Sequence, residues 1–173
     1  TRGVILRLAA VYGPEMKGNY LLLLKGLKDR WFIPIGRGEN RRTIINIQDA
    51  VNGAVLTAFH PRAAGKIYNL TDGKIYSLNQ IIDVMCKIIN RKRPAIHLPA
   101  APVKLVVGLI EDFFSIFKKR SPLSRNLVNT ILEERAVSGD LIQKELGLSP
   151  AVTMEAGWLE IAKSLGMVNP KQD

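Results

Sequence analysis

The stretch PIGRGENRRTIINIQDA, residues 34–50, joins a glycine-rich basic loop to an apolar segment and an acidic residue that opens a helical pattern. Gly36 and Gly38 suggest the dinucleotide-binding pattern G-x-G-x-x-G, but Arg41 stands where the third glycine belongs. A helix should follow those glycines, whereas residues 43–47 have the composition of a strand. The loop is therefore not a cofactor phosphate loop. Its arginines can either contact an anionic ligand or form a solvated basic turn.

Strand-like and helix-like segments alternate on both sides of this loop. Residues 3–12, GVILRLAAVY, are nearly all apolar, which is typical of a strand covered on both faces in a parallel sheet. Shorter strands are predicted at WFIPIG (31–36), TIINI (43–47) and KIYNL (66–70). The alternation predicts an α/β fold whose C-terminal third is more helical.

Apolar periodicity and capping residues predict the helices. Asn19 is expected to cap a helix over residues 20–30, and Asp49 to cap the helix that follows TIINI. Ser77 and Gln80 have the spacing of a capping box ahead of an amphipathic helix. One side of the Asp49 helix carries Ala50, Val51, Ala54, Val55 and Ala58. An extended segment is predicted over residues 94–102 and further helices over residues 103–117, 124–134, 140–146 and 153–165, the last two closed by Gly147 and Gly166.

The formal net charge of +10 favours an anionic partner, which could be a nucleotide or sugar phosphate, nucleic acid or an acidic membrane face. Nucleic acid is not expected, because the chain has no helix-turn-helix spacing, zinc framework or aromatic RNA motif. The single cysteine, Cys86, excludes an internal disulfide and favours a reducing, cytoplasmic compartment. Together with His60 and His97 it offers no metal-ligand spacing, so no metal site is predicted.

Residues 103–120, VKLVVGLIEDFFSIFKKR, form an apolar stripe at helical spacing that ends in a basic cluster, Lys118–Arg120. Such a stripe is either core or a lid over a cleft, or it is a surface that lies on a membrane or a partner protein. Lys104, Glu111 and Asp112 interrupt the segment, so it is not expected to span a bilayer.

Several segments in a fixed order resemble the extended short-chain dehydrogenase/reductase family, the NAD(P)-dependent sugar-nucleotide epimerases, dehydratases and reductases. These segments are LRLAAVYGP (6–14), a predicted helix, WFIPIGRGENRRTIINIQDAVNGAVLTA (31–58), KIYNLTDGKIYSLNQIIDVM (66–85) and DLIQKELGLSP (140–150). The resemblance covers residues 3–165 and is to the C-terminal half of the family.

The resemblance implies the last strands of a parallel Rossmann-like sheet with a smaller, mostly helical substrate-binding lobe. Residues 1–14 and 66–72 would supply strands of that sheet. Residues 15–65 and 73–173 would form the substrate-binding lobe and the covering helices. The family's N-terminal cofactor-binding region would lie outside this chain, which is expected to belong to a homodimeric enzyme.

The resemblance also implies the site residues. The segment expected to contact the NAD or NADP cofactor is Leu8, Ala9, Ala10 and Val11. The segment expected to face the base of a nucleotide-diphosphate sugar is Phe32, Ile33, Pro34 and Ile35. Arg42 falls where family members place an arginine on the substrate's diphosphate, and Arg41 is its neighbour. Asp49 corresponds to an aspartate that we interpret as a structural cap.

The chain departs from the family's pattern at three places. Arg7 is followed by leucine in place of proline, and Ala10 replaces an asparagine that often touches the substrate. The usual Arg-x-Gly-Asp motif has no clean match in EERAVSGD, residues 133–140. The candidates for a second substrate arginine are Arg120, Arg125 and Arg135. Such departures resemble divergent branches, including polysaccharide-biosynthesis epimerases and steroid-dehydrogenase-like members.

No catalytic residue is assigned, because the family's Tyr-x-x-x-Lys pair does not occur. The residues four positions after the tyrosines are Met16, Leu24, Asp72 and Gln80. The expected function is therefore the substrate-binding half of an epimerase or dehydratase that works by hydride transfer through a keto-sugar, inactive alone. The alternatives are a non-catalytic nucleotide-binding scaffold and a steroid-dehydrogenase-like member that associates with a membrane surface through residues 103–120.

Overall fold

The computed structural model describes residues 3–116 and 125–168 and has the predicted α/β architecture. Its strands are β1 (Ile5–Leu8), β2 (Ala10–Tyr12), β3 (Arg41–Arg42), β4 (Ile44–Asn46), β5 (Ile67–Leu70) and β6 (Tyr76–Ser77). Its α-helices are α1 (Asn19–Lys28), α2 (Ile47–Phe59), α3 (Leu78–Ile88), α4 (Ala100–Ile116), α5 (Arg125–Leu132), α6 (Asp140–Leu146) and α7 (Met154–Ser164). The basic cluster Lys118–Arg120 lies outside the described residues.

The apolar run at the start of the chain changes its pairing partner at Ala9. Before that residue β1 pairs in parallel with β5, and after it β2 pairs in parallel with β4. The Ala9 amide donates to the Leu70 carbonyl and the Ala10 amide to that of Thr43. The predicted burial of this run on both faces is not seen among the described residues. Ile5 and Leu8, which alternation along the strand places on opposite faces of β1, each remain 57% exposed.

The prediction of a strand at residues 31–36 is wrong, because most backbone hydrogen-bonding groups of this segment are not paired with a neighbouring strand. The amides of Trp31 and Phe32 both donate to the Gly26 carbonyl at the end of α1, and Pro34 has no amide hydrogen. Only Ile35 forms a β-bridge, to Leu98 in the extended segment before α4. The strand predicted at residues 43–47 is confirmed as β4, and that at residues 66–70 as β5.

Two predicted helix caps are wrong and one is confirmed. Gly18 precedes α1, so that Asn19 is its first residue and caps nothing. The cap of α2 is Asn46, whose side chain accepts from the Gln48 amide at 2.9 Å. Ser77 and Gln80 form the predicted capping box of α3, in which the side chain of each residue accepts a hydrogen bond from the backbone amide of the other.

Asp49 stabilises the fold in another way. Its buried carboxylate accepts hydrogen bonds of 3.0 Å from the amides of Ala151 and Val152, and so ties α2 to the segment before α7. Its place in the first turn of α2 keeps the carboxylate near the positive end of the helix dipole. The side of α2 predicted to be apolar is only partly covered, since Val51 and Val55 are about half exposed.

Buried apolar side chains form two clusters. The first joins α1, α3 and α7 around Trp158, whose ring stacks on that of Tyr12 with centroids 4.9 Å apart. The second joins β4, β5 and α6 around Tyr68 and Ile142. Cys86 lies in the first cluster, as its apolar surroundings predict. Within residues 3–116 and 125–168, no helix is long and apolar enough to cross a membrane.

Candidate functional site

A cavity of about 740 Å³ lies beside the junction of β1 and β2. Its walls come from that junction, from α1 and the segment after it, from β3, and from the end of α5 with the residues that follow. All four residues of the predicted cofactor segment line this cavity, namely Leu8, Ala9, Ala10 and Val11. Of the predicted base-facing segment only Phe32 does, while Ile33, Pro34 and Ile35 lie outside the lining.

The two adjacent arginines of β3 are directed to different surroundings, as alternation along a strand requires. Arg42 lines the cavity and is only 8% exposed. Arg41 is exposed and outside the lining, and its Nε donates to Glu134 Oε1 at 2.6 Å. That hydrogen bond lowers the pKa of Glu134 and raises the pKa of Arg41. The structure therefore brings Arg42, but not Arg41, to the cavity.

Arg42 holds the C-terminal end of α5 in place. Its Nη2 donates to the carbonyl oxygens of Thr130 at 3.0 Å and of Ile131 at 2.6 Å. Asn40 adds a hydrogen bond from its Nδ2 to the same Ile131 carbonyl. A cation and two donors suit this position, since the last carbonyls of a helix have no partner within the helix and carry its negative pole.

Arg135 reaches the same cavity from the segment after α5. Its amide donates to the Arg41 carbonyl at 2.8 Å, and its carbonyl accepts from the Thr43 amide at 3.1 Å. The side chain is half exposed and paired with Glu133. Of the other two candidates for a second substrate arginine, Arg125 is paired with Asp112 and lies outside the lining, and Arg120 is not among the described residues.

The described lining residues carry three cations and no carboxylate, namely Lys17, Arg42 and Arg135. The other walls are mostly apolar or aromatic, with Trp31 and Phe32 side by side after α1. Gly26 permits this, because a Cβ there would lie 2.9 Å from the Cβ of Phe32 and 3.1 Å from the Trp31 ring. An electropositive, partly aromatic cavity suits a ligand that combines an anionic group with a flat ring.

Tyr20 is a further lining residue, close to Arg42. Burial raises the pKa of its phenol, and the nearby Arg42 charge acts in the opposite direction. Its buried hydroxyl lies within reach of the Arg42 guanidinium and otherwise has no hydrogen-bond partner among the described residues. With a raised pKa the phenol stays protonated at neutral pH, so that it can donate a hydrogen bond to a ligand but cannot act as a base.

Sequence reasoning missed several lining residues. Tyr20 in the first turn of α1, and Lys17 and Trp31 on either side of that helix, belong to no motif, although Trp31 directly precedes the segment predicted to face the base. Thr130 and Ile131 lie almost ninety residues beyond Arg42 in the chain, and no local pattern links them. Within the described part of the chain, no group of three or more metal-ligating side chains comes together.

Curated proteins of similar sequence fall into one functional class where they are named. The chain is 37% identical to the uncharacterized protein y4nL of Sinorhizobium fredii over 89% of the chain and 44% of that protein. It is 25% identical to UDP-glucose 4-epimerase of Vibrio cholerae over 96% of the chain and 47% of the epimerase. It is also 26% identical to the N-acetyl-alpha-D-glucosaminyl-diphospho-ditrans,octacis-undecaprenol 4-epimerase of Escherichia coli O157:H7, over 64% and 33% of the two chains. No protein-family model matches.

Solved structures agree with this assignment at the level of the fold. The protein gox2253 superimposes with a TM-score of 0.68 at 19% identity, over 95% of this chain and 50% of its own. UDP-glucuronic acid 4-epimerase of Bacillus cereus, solved with a fluorinated UDP-sugar and NAD, gives a TM-score of 0.66 at 18% identity, over 94% and 45%.

The chain spans about half the length of y4nL and of the Vibrio epimerase, and about half of each of these solved structures. Such coverage is consistent with one half of a longer fold. The resemblance to the extended short-chain dehydrogenase/reductase family is therefore confirmed, since the named curated relatives are 4-epimerases and the chain shares the fold of about half of gox2253 and of the Bacillus epimerase, which is consistent with a C-terminal half.

Proposed function

We propose that this chain is the substrate-binding part of an NAD(P)-dependent epimerase or dehydratase that acts on a nucleotide-diphosphate sugar. The observation that carries the proposal is the cavity, with three cations, no carboxylate and two adjacent aromatic rings among its described lining residues. A diphosphate supplies the matching negative charge, and a nucleobase supplies a flat ring. The named relatives act on diphosphate-linked sugars according to their names, which supports the same substrate class.

Different lining residues would bind different parts of the substrate. Arg42, Arg135 and Lys17 would neutralise the diphosphate, and Tyr20 would donate a hydrogen bond to it. Trp31 and Phe32 would hold the base by stacking. These residues bind and orient the sugar and do not transfer protons.

The cofactor would meet this chain at Leu8–Val11, where apolar side chains line the cavity and could contact a nicotinamide ring. When bound, NAD(P) supplies hydride acceptance and return. Leu8, Ala9, Ala10 and Val11 carry no charged side chain, so they could position the ring but not the cofactor's own phosphates. The side chains would exclude water from the region where hydride transfer occurs.

The test is calorimetric titration of the 173-residue chain with UDP-glucose, UDP and UMP. We expect UDP-glucose and UDP to bind and UMP to bind about tenfold more weakly than UDP or worse, because UMP differs from UDP only in lacking the second phosphate. Arg135→Ala should weaken UDP-glucose binding about tenfold. Arg125→Ala is the matched control, since Arg125 is about equally exposed but paired with acidic residues of α4 outside the cavity. Equal affinities for UDP and UMP would contradict the diphosphate role.

A polyprenyl-diphosphate sugar is the second candidate substrate. Several lining residues are both apolar and largely exposed, and these are Leu8, Leu22, Trp31 and Val137. An isoprenoid chain could lie on them while the diphosphate occupies the same cationic groups. The name of the Escherichia coli relative specifies such a lipid-linked substrate. Displacement of bound UDP by farnesyl diphosphate, but not by inorganic diphosphate at the same concentration, would favour this candidate.

We also propose that the chain does no chemistry alone, because it contains no Tyr-x-x-x-Lys pair. The isolated chain should bind the substrate without converting it when NAD is added, as a coupled epimerase assay would show. Turnover by the isolated chain would contradict this. The alternative, a non-catalytic nucleotide-binding scaffold, predicts that the complete gene product also binds without turnover.

A further inference from the structure

The glycine-rich loop of residues 36–40 is attached through its backbone to the start of α3. The Leu78 amide donates to the Asn40 carbonyl at 3.1 Å. The Asn79 amide donates to the Gly38 carbonyl at 2.9 Å. Both amides belong to the first turn of α3, where backbone amides have no partner within the helix. The loop therefore completes the start of α3, and this contact fixes the backbone of Asn40.

The side chain of Asn40 reaches the end of another helix, α5. Its Nδ2 donates to the Ile131 carbonyl at 3.0 Å and to the Glu133 carbonyl, just beyond the helix, at 3.3 Å. Among the described residues, Arg42 is the other side chain that donates to the Ile131 carbonyl, at 2.6 Å. A carbonyl oxygen has two lone pairs and can accept from both donors. Arg42 lines the cavity, whereas Asn40 does not.

The shared carbonyl determines how readily Arg42 can turn towards a ligand. If the guanidinium moves to an anion in the cavity, Asn40 still satisfies the Ile131 carbonyl. Without the Asn40 side chain, the same movement would leave a partly buried acceptor unpaired, which is unfavourable. Arg42 would then stay on α5 and be less available to the anion. The effect of Asn40 is therefore exerted through Arg42 and concerns only the anionic part of a ligand.

We propose that Asn40 is a positioning residue for diphosphate binding, which satisfies the end of α5 so that Arg42 is available to the ligand. This role rests on the proposed function, because it requires that a diphosphate reaches Arg42. Asn79 offers a matched comparison in the same loop. Its Nδ2 donates to the Arg37 carbonyl at 2.8 Å, it is partly buried like Asn40, and it lies outside the cavity lining.

Titration calorimetry of the 173-residue chain with UDP and with uridine tests this role. Asn40→Ala should weaken UDP binding about fivefold and leave uridine binding unchanged, because uridine has no phosphate for Arg42 to contact. Asn79→Ala should bind both ligands as the parent chain does. In an Arg42→Gln chain, adding Asn40→Ala should not weaken UDP binding further. Circular dichroism verifies that each variant is folded.

The outcomes separate this role from the proposed function. If the parent chain binds UDP no more tightly than uridine, the diphosphate function is overturned, and the role of Asn40 with it. If the parent prefers UDP and Asn40→Ala binds UDP equally well, only the role of Asn40 is overturned. Equal weakening of UDP and uridine binding by Asn40→Ala would also overturn it, because the variant would then act through a general change of structure.

A spectroscopic measurement reports on Arg42 without any ligand. The Nε–H signal of Arg42 in a nitrogen-15 NMR spectrum can be identified by its absence from Arg42→Lys. That signal should shift in Asn40→Ala, because the variant removes the second donor to the carbonyl that Arg42 contacts. It should stay in place in Asn79→Ala, whose lost hydrogen bond lies on the α3 side of the loop. An unshifted signal in Asn40→Ala would contradict an action of Asn40 through Arg42.

Discussion

At the scale of single residues, Arg42 combines two roles. It is a cationic wall of the cavity, and it supplies donors to the end of α5. Arg135 has a single structural role, because among the described residues its exposed side chain pairs with the exposed Glu133 and its contribution to the fold comes from the backbone. The two arginines therefore require different experiments, although both line the same cavity.

Arg42→Ala should lower the free energy of unfolding by about 1.5–3 kcal/mol, since it removes charged hydrogen bonds to two carbonyls in a buried setting. Arg135→Ala should lower it by less than about 1 kcal/mol, as is usual for an exposed ion pair. Urea denaturation of both variants measures the difference. Equal destabilisation would show that Arg42 is not required for the end of α5.

Gly157 is another residue whose role the packing defines. A Cβ at this position would lie 2.6 Å from the Tyr12 ring and 2.8 Å from Asn46 Nδ2, both of which are buried. Gly157→Ala should therefore destabilise the fold by about 1–3 kcal/mol through overpacking, despite the better helix propensity of alanine. Thermal denaturation is the measurement, and Gly3→Ala, where a Cβ meets no neighbour, is the control. An unchanged melting temperature for Gly157→Ala would show that the side chains around Gly157 accommodate the added methyl group without loss of stability.

At the scale of elements, α6 is attached to β5 through one carboxylate. Glu145 Oε2 accepts from Lys66 Nζ at 2.6 Å and from the Tyr68 hydroxyl at 2.7 Å. These hydrogen bonds, that of Lys66 first, lower the pKa of Glu145. The stabilisation is present above the ordinary glutamate pKa and is lost as the pH falls through the lower pKa of the folded state.

Glu145→Gln should therefore be less stable than the parent chain at neutral pH and equally stable at a pH below both pKa values. Unfolding by urea across a pH series from neutral to acid measures the two curves. Glu160→Gln, on an exposed position of α7, should follow the parent curve throughout. A constant difference between Glu145→Gln and the parent chain at all pH values would show that the ionisation of Glu145 is not the cause.

Elements with a strong local signal could be predicted from the sequence, and those shaped by distant contacts could not. The bounds of α6, closed by Gly147 in the left-handed conformation, and the capping box of α3 are confirmed because both depend on adjacent residues. Asp49 was interpreted as a cap, since only the fold brings Ala151 and Val152 to its carboxylate. For the same reason the sequence does not predict that Arg42 supports α5, and its role as a ligand contact stays a prediction.

At the scale of the whole molecule, excess positive charge is found both in the overall composition and inside the cavity. The formal net charge is +10, and the described lining residues include three cations without a carboxylate. Electrostatic attraction of a diphosphate should therefore be strong at low ionic strength and weaker when salt screens it.

The affinity of the chain for UDP should fall steadily as sodium chloride is added, and the dependence should be shallower for Arg135→Ala, which has one cation fewer. Titration calorimetry at several salt concentrations measures both slopes. Uridine, which carries no phosphate, is the control and should show almost no salt dependence. Identical slopes for the parent chain and Arg135→Ala would mean that Arg135 does not face the bound anion.

The hydrogen bonds from Arg42 to α5 have a thermodynamic consequence. A bound anion that accepts from the Arg42 guanidinium would compete with the carbonyls of Thr130 and Ile131 for the same donor. Cavity occupancy and the order of the last turn of α5 would then be linked, with equal and reciprocal effects on each other. Since α4 rests on α5, a single guanidinium would connect the ligand to both helices.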